Sequence, residues 1–154
     1  MKIESLHDNL SFLPTVAEWL YSEWGCHIAG KSLDTAMASL SQNPDAHGLP
    51  ETLIGIIDYK VVAVARLVLD DMESRADLTP WLASVFVPQD YRGKGYGSKI
   101  CQGIAMRAKS LNINELYLFT PDRYSFYEKL GWKLINIEEE RGKEVYLMKL
   151  DMEK

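Results

Sequence analysis

A chain of 154 residues, 47% hydrophobic and 25% charged, has the size and mix of one globular domain around a single core, spanning residues 1–154. Its formal net charge of −5 argues against nucleic acid as a partner, because a duplex-binding surface is basic. No apolar run approaches the roughly twenty residues of a membrane span, and the opening M-K-I-E-S-L-H-D lacks the apolar stretch of a secretory leader, so a cytoplasmic protein without a membrane partner is expected.

Ile3 to Leu6 suits a short strand. From Leu10 the apolar residues Leu13, Val16, Ala17, Leu20 and Trp24 recur at helical spacing, and Gly25 offers a stop. Ser32 is placed to cap a second helix that turns Leu33, Ala36, Met37 and Leu40 inward. Asn43 to Pro50 is rich in breakers and reads as a loop. Thr52 to Ile57 and Val61 to Leu69 are β-branched and apolar, joined by Asp58-Tyr59-Lys60 as a hairpin connection. Asp70 to Pro80 is polar and reads as a surface loop.

Trp81 to Val87 then forms a buried strand, stopped by Pro88 and followed by the basic glycine loop Q-D-Y-R-G-K-G-Y-G. An amphipathic helix from Ser98 to Leu111 comes next, with Ile100, Cys101, Ile104, Ala105, Ala108 and Leu111 on its apolar face. Glu115 to Thr120 is a further buried strand; reached through a helix, it should run parallel to the Trp81 strand. Arg123 to Leu130 is a short helix ended by Gly131. Trp132 to Glu140 and Glu144 to Asp151 close the chain as an antiparallel pair around Arg141-Gly142-Lys143. The order β-α-α-β-β-β-α-β-α-β-β gives an α/β fold around a mixed, mostly antiparallel sheet. Cys26 and Cys101 form no C-x-x-C motif and are expected reduced and packed, and His7, His27 and His47 lack metal-ligand spacing, so no metal is expected.

The order of strand, glycine loop and helix start is a device for holding an anion. Amides in the first turn of a helix have no partner within it and carry partial positive charge. Glycines let that backbone approach a phosphate closely. Arg92, Lys94 and Lys99 add cations in an otherwise acidic chain. A Walker loop is excluded because Gly93-Lys94 is followed by Gly95 rather than by Ser or Thr. A dinucleotide fingerprint is excluded because Gly93, Gly95 and Gly97 give G-x-G-x-G rather than G-x-G-x-x-G.

What remains, Arg92-x-x-Gly95-x-Gly97, resembles the acetyl-CoA loop of the GNAT superfamily of N-acyltransferases, [RQ]-x-x-G-x-[GA]. Downstream, Tyr124-Ser125-Phe126-Tyr127-Glu128-Lys129-Leu130-Gly131-Trp132 resembles the same superfamily's F-Y-x-x-x-G-[FW] segment. The resemblance spans Leu53 to Trp132 and implies a GNAT-like fold: about seven strands with one splayed parallel pair, flanked by four helices. It implies acetyl-CoA as co-substrate, with the amides from Gly93 through Lys94, Gly95, Tyr96 and Gly97 to Ser98 on the pyrophosphate. Backbone groups of Val85, Phe86 and Val87 would meet the pantetheine arm, with the Val85 N–H polarising the thioester carbonyl.

The resemblance also implies Tyr127 as the general acid that protonates the departing thiolate, with Tyr124 as its substitute. Phe126 and Leu130, spaced i and i+4, are the expected core residues of that helix. The strand before the loop departs from the family pattern, since Trp81 to Val87 carries no glutamate. The nearest acids, Asp70, Asp71 and Glu73, are candidates to accept the amine proton through water, and with Asp77 to draw a cationic acceptor. An alkyl amine is only about 0.04% neutral at pH 7, so its proton needs a route. By family analogy the acceptor pocket is lined by the segment Trp24 to Lys31 and the Arg141 turn. Trp19, Tyr21 and Trp24 read first as core. The expected activity is direct acetyl transfer in a ternary complex to a small-molecule or peptide amine, by a monomer or homodimer. The alternative is a CoA-binding module without catalysis.

Overall fold

The computed structural model describes residues 1–152. Seven strands and four α-helices alternate as β1 (Lys2–Ser5), α1 (Leu13–Glu23), α2 (Leu33–Leu40), β2 (Glu51–Ile57), β3 (Lys60–Val68), β4 (Trp81–Phe86), α3 (Tyr96–Ser110), β5 (Glu115–Thr120), α4 (Tyr124–Lys129), β6 (Lys133–Glu140) and β7 (Lys143–Asp151). They build one sheet in the order β1-β2-β3-β4-β5-β7-β6. Every neighbouring pair is antiparallel except β4 and β5. The parallel pair expected from the helical crossover is therefore present at the sheet's centre.

Alternation along the strands divides the core between two faces. On one face α3 lays Ile100, Cys101, Ile104 and Ala108 against Leu53, Ala63, Leu67, Leu82, Leu116 and Met148. On the other, α1 and α2 cover Ile54, Val61 and Val64 with Val16, Ala17 and Leu40. A third cluster on that second face joins Met72 to Trp81, Tyr117, Val145 and Leu147. Edge and helix are tied together by Glu51: Ser5 Oγ donates to its carboxylate at 2.9 Å and Arg107 Nη1 pairs with it at 2.8 Å.

Several sequence expectations shift in detail. The first helix is preceded by a 3-10 turn at Leu10–Phe12, and Pro14 then sits in the first turn of α1, where its missing N–H costs nothing. Ser32 caps α2 in a reciprocal capping box with Thr35. Asp58 and Tyr59 alone make the β2–β3 turn, both at positive φ, while Lys60 already pairs with Ile57. α3 begins at Tyr96, two residues before Ser98, so Tyr96 and Gly97 belong to the helix and not to the loop. The segment from Asp70 to Pro80 is not a plain surface loop. It carries a 3-10 turn, buries Met72 and ties Arg75 to Glu138 of β6 at 2.7 Å. Cys101 is packed as expected, but Cys26 is exposed.

Candidate active site

The site begins with a separation of strands. β4 keeps its pairing with β3 as far as Val64 and Phe86, but meets β5 at a single position, Trp81 opposite Tyr117. Beyond that position the two parallel strands part. β4 is also bulged: between the pairs Val64–Phe86 and Arg66–Ala83, one residue of β3, Ala65, faces two of β4, Ser84 and Val85. Ser84 takes up the extra residue with φ of 56°, an uncommon conformation for a residue with a side chain. The bulge re-aims the backbone of Val85 just where the partner strand has gone, and leaves it a free ladder edge. Nothing in W-L-A-S-V-F-V announces a bulge; the serine is its only polar residue.

Past Pro88 a 3-10 turn, Gln89–Tyr91, leads into the glycine loop. Gly93 and Gly95 adopt φ of 77° and 84°, and a Cβ built on either meets nothing within 4 Å. Their glycine identity thus answers to backbone conformation and not to crowding. Gly95 caps α3 with no side-chain hydrogen bond. Among the described residues none of the six amides from Gly93 to Ser98 donates a hydrogen bond. Six consecutive free N–H groups at a helix N-terminus fit a diphosphate. Gly97 has a separate reason: its Cβ would stand 3.4 Å from the Phe126 ring of α4.

The cations of the loop behave differently from one another. Lys94 and Lys99 are exposed. Arg92 folds back over the strand, its Nε donating to the Val87 carbonyl at 2.7 Å and its guanidinium 5.7 Å from the centre of the Phe86 ring. Phe86 in turn packs against Trp19 at 5.6 Å and Trp24 at 6.4 Å, so these three aromatic rings and Arg92 link α1 to β4. Trp19 is half-buried there, in keeping with a core role, whereas Trp24 stays 41% exposed.

α4 faces the same opening. Tyr127, not Phe126 or Leu130, is its buried residue, which reverses the order expected from spacing. Its ring packs edge-on to Phe126 at 5.0 Å and Trp132 at 6.2 Å. Its hydroxyl has no hydrogen-bond partner among the described residues, yet the only buried side-chain polar atom left unpartnered there belongs to Glu140. The hydroxyl tip therefore reaches open space while the ring stays covered. Burial, and secondarily the neighbouring Cys101, push the phenol above its ordinary value. The Cys101 thiol itself is pushed up to about 12 by burial, which makes it a poor nucleophile. Tyr124 lies further out, donating to Glu128 at 3.1 Å. A cavity of about 440 Å³ adjoins α4 between Pro121, Arg123, Phe126 and Tyr146. A larger one of about 590 Å³ lies near the start of β4, by Pro80 and Ile113, away from the loop.

The acids Asp70, Asp71 and Glu73 part company. Asp70 and Glu73 are exposed, and Asp77 is held by Arg75 at 3.1 Å. Asp71 turns inward among Arg141, Glu140 and Arg66, and burial raises its carboxyl to about 6. Glu140 was not singled out by sequence reasoning. The usable signal was alternation: Glu138 and Glu140 share a strand face, and that face is the covered one.

The family model described as acetyltransferase (GNAT) family matches residues 13–132. The chain therefore belongs to the GNAT acetyltransferase family. It is 31% identical over 112 residues to N-alpha-acetyltransferase 80 of Mus musculus, covering 68% of this chain and 34% of that protein. It is 29% identical over 82 residues to the amino-acid acetyltransferase of Mannheimia succiniciproducens, covering 53% of this chain and 18% of that one. The chain thus spans about a third or less of these curated relatives. In structure it is similar over its full length to an aminoglycoside 6'-N-acetyltransferase complexed with coenzyme A, with TM-score 0.79, 13% identity and 98% of that chain covered. It is likewise similar to yncA of Salmonella typhimurium, solved with its cofactor acetyl-CoA, with TM-score 0.73, 16% identity and coverage of 100% of this chain and 95% of that one. At such identities these likenesses establish the fold: the mixed sheet with one splayed parallel pair and four helices.

Proposed function

We propose that this protein transfers an acetyl group from acetyl-CoA directly to a primary amine, in a ternary complex, and that the amine belongs to a small molecule. The observation that carries the reading is the row of six free amides at Gly93–Ser98 beside the opened edge of β4. Bound there, acetyl-CoA supplies an activated thioester. The amides of Gly93, Lys94, Gly95, Tyr96, Gly97 and Ser98 hold its diphosphate. The free ladder edge of Val85, Phe86 and Val87 bonds the pantetheine arm as an added strand would.

Within the gap, the Val85 N–H stabilises negative charge as it develops on the carbonyl oxygen. As the N–C bond forms and the C–S bond breaks, Tyr127 donates its proton to the departing thiolate, a step suited to a neutral phenol whose tip alone meets the cleft. The proton shed by the nitrogen passes through cleft water back to the phenolate. Arg92 must release the Val87 carbonyl, or share it, as the arm docks. With Cys101 buried and its thiol raised, direct transfer is favoured over an acyl-enzyme.

α1, α2 and the 69–80 segment wall the acceptor side of the sheet, which suits a compact acceptor. The similarity to a mouse N-alpha-acetyltransferase favours, as a second reading, a peptide or protein amine. Thiol release from acetyl-CoA, screened across polyamines, aminoglycosides, amino acids and peptides, decides between them. Activity on peptides alone would overturn the small-molecule reading. Coenzyme binding without turnover of any amine would favour a non-catalytic module.

A further inference from the structure

Glu138 and Glu140 face the same side of β6, towards the 69–80 segment, but their situations are opposite. Glu138 is paired with Arg75 at 2.7 Å and receives Asn136 Nδ2 at 3.0 Å. Glu140 is only 8% exposed, and its Oε2 is buried with no hydrogen-bond partner among the described residues. A carboxylate oxygen in that state is costly unless something fills it. Asp71, half-buried on the facing 69–80 segment, lies within electrostatic reach of Glu140.

Two arginines are within electrostatic range of Asp71, but neither fills the gap. Arg66 spends its guanidinium on Thr52 Oγ1 at 3.0 Å and Ser39 Oγ at 3.2 Å. Arg141 stands on the exposed β6–β7 turn, and among the described residues no ion pair reaches Asp71 or Glu140. Two carboxylates left together under cover call for a cation from outside.

That cation is not the amine that receives the acetyl group. An amine must lose its proton to attack, and a buried anionic pair would hold it as ammonium. The pair suits an amine that stays charged. We infer that Asp71 and Glu140 form a subsite for a second, non-reacting ammonium group, so that the preferred acceptors are diamines or polyamines. This inference rests on the acetyltransferase reading above.

The experiment compares 1,6-diaminohexane with 6-amino-1-hexanol and hexylamine in acetyl-CoA thiol release by the full chain, with calorimetric titration of each into the coenzyme-loaded protein. The expected result is that kcat/KM and affinity favour the diamine by about tenfold or more, since only the far end of the molecule differs. Glu140→Gln should bring the diamine-to-amino-alcohol ratio close to one. Asp71→Asn, read the same way, serves if Glu140→Gln folds poorly. Equal handling of diamine and amino alcohol by the unaltered protein, or a preference that survives both substitutions, overturns the subsite. So does a Glu140→Gln defect of the same size on all three amines, which would place the pair at the reacting amine. Absence of coenzyme binding would instead sink the acetyltransferase reading itself.

Discussion

The coenzyme side and the acceptor side of this sheet are built on different principles. Around Gly93–Ser98 the groups proposed to hold the coenzyme are main-chain amides, and side chains contribute mainly by being absent. Across the sheet, at Asp71, Glu140, Arg66 and Arg141, the groups proposed to bind the acceptor are charged side chains from β3, the 69–80 segment and the β6–β7 hairpin. A main-chain site answers to local conformation and leaves a local sequence pattern. A side-chain site assembled from distant segments leaves none. In the function proposed above, the first kind fixes the ligand class and the second sets the acceptor.

The sharpest break between the two sides is Gly95→Val. At φ of 84° a β-branched residue is strained although space is open, so the loop must change conformation to accept it. Coenzyme affinity by calorimetry should fall by about a hundredfold or more, while the fold and the acceptor side persist by circular dichroism. Unchanged affinity would mean that the free amides do not hold the diphosphate.

Next in size is Tyr127→Phe. The hydroxyl has no partner to lose and the ring keeps its packing on Phe126 and Trp132, so stability should hold. Thiol release should drop roughly ten- to a thousandfold, with coenzyme affinity unchanged. Equal rates would remove Tyr127 from the chemistry and turn attention to Tyr124.

The glycine loop that caps α3 and the short helix that carries Tyr127 were legible in the sequence because each lies in a contiguous pattern. The parallel pair was legible because a strand-helix-strand crossover dictates it. Three features were not. The Ser84 bulge depends on the mismatch between β3 and β4, which no local pattern of W-L-A-S-V-F-V expresses. The burial of Tyr127 over Phe126 depends on how α4 is rotated against Trp132 and Cys101, a tertiary fact that i, i+4 spacing leaves open. The covered acids depend on the 69–80 segment lying on the sheet, where its polar composition suggested solvent; Met72 is the residue that anchors it.

A milder test of the acceptor side is its pH response. Asp71 titrates near 6, facing Arg66 from β3 and Glu140 and Arg141 from the hairpin, with Asp70 beside it in the chain. Lowering pH from 7.5 to 5 should protonate it and weaken its hold on a cation. The ratio of kcat/KM for 1,6-diaminohexane over 6-amino-1-hexanol should therefore fall by about tenfold at most across that range. Taking the ratio cancels the titration of the reacting amine, common to both. A ratio flat with pH would remove Asp71 from recognition, without touching the coenzyme loop.

The smallest effect separates a site built for a ligand from one built for stability. Burial raises the Asp71 carboxyl from the ordinary 3.8 to about 6, so folding favours its protonated form. Its contribution is favourable below the unfolded value and is lost as pH rises through about 6. At pH 8 the ionised carboxylate is therefore a burden on the free protein. The shift amounts to about 3 kcal/mol in a dry site, trimmed to about 1–2 kcal/mol for a half-buried group in contact with solvent. Asp71→Asn should raise Tm by a few degrees at pH 8, and the gain should shrink as pH approaches 4. Were Asp71 a structural partner of Arg141, the same substitution would lower Tm at pH 8. A protein more stable but less selective among amines would place Asp71 where function, and not folding, maintains the charge.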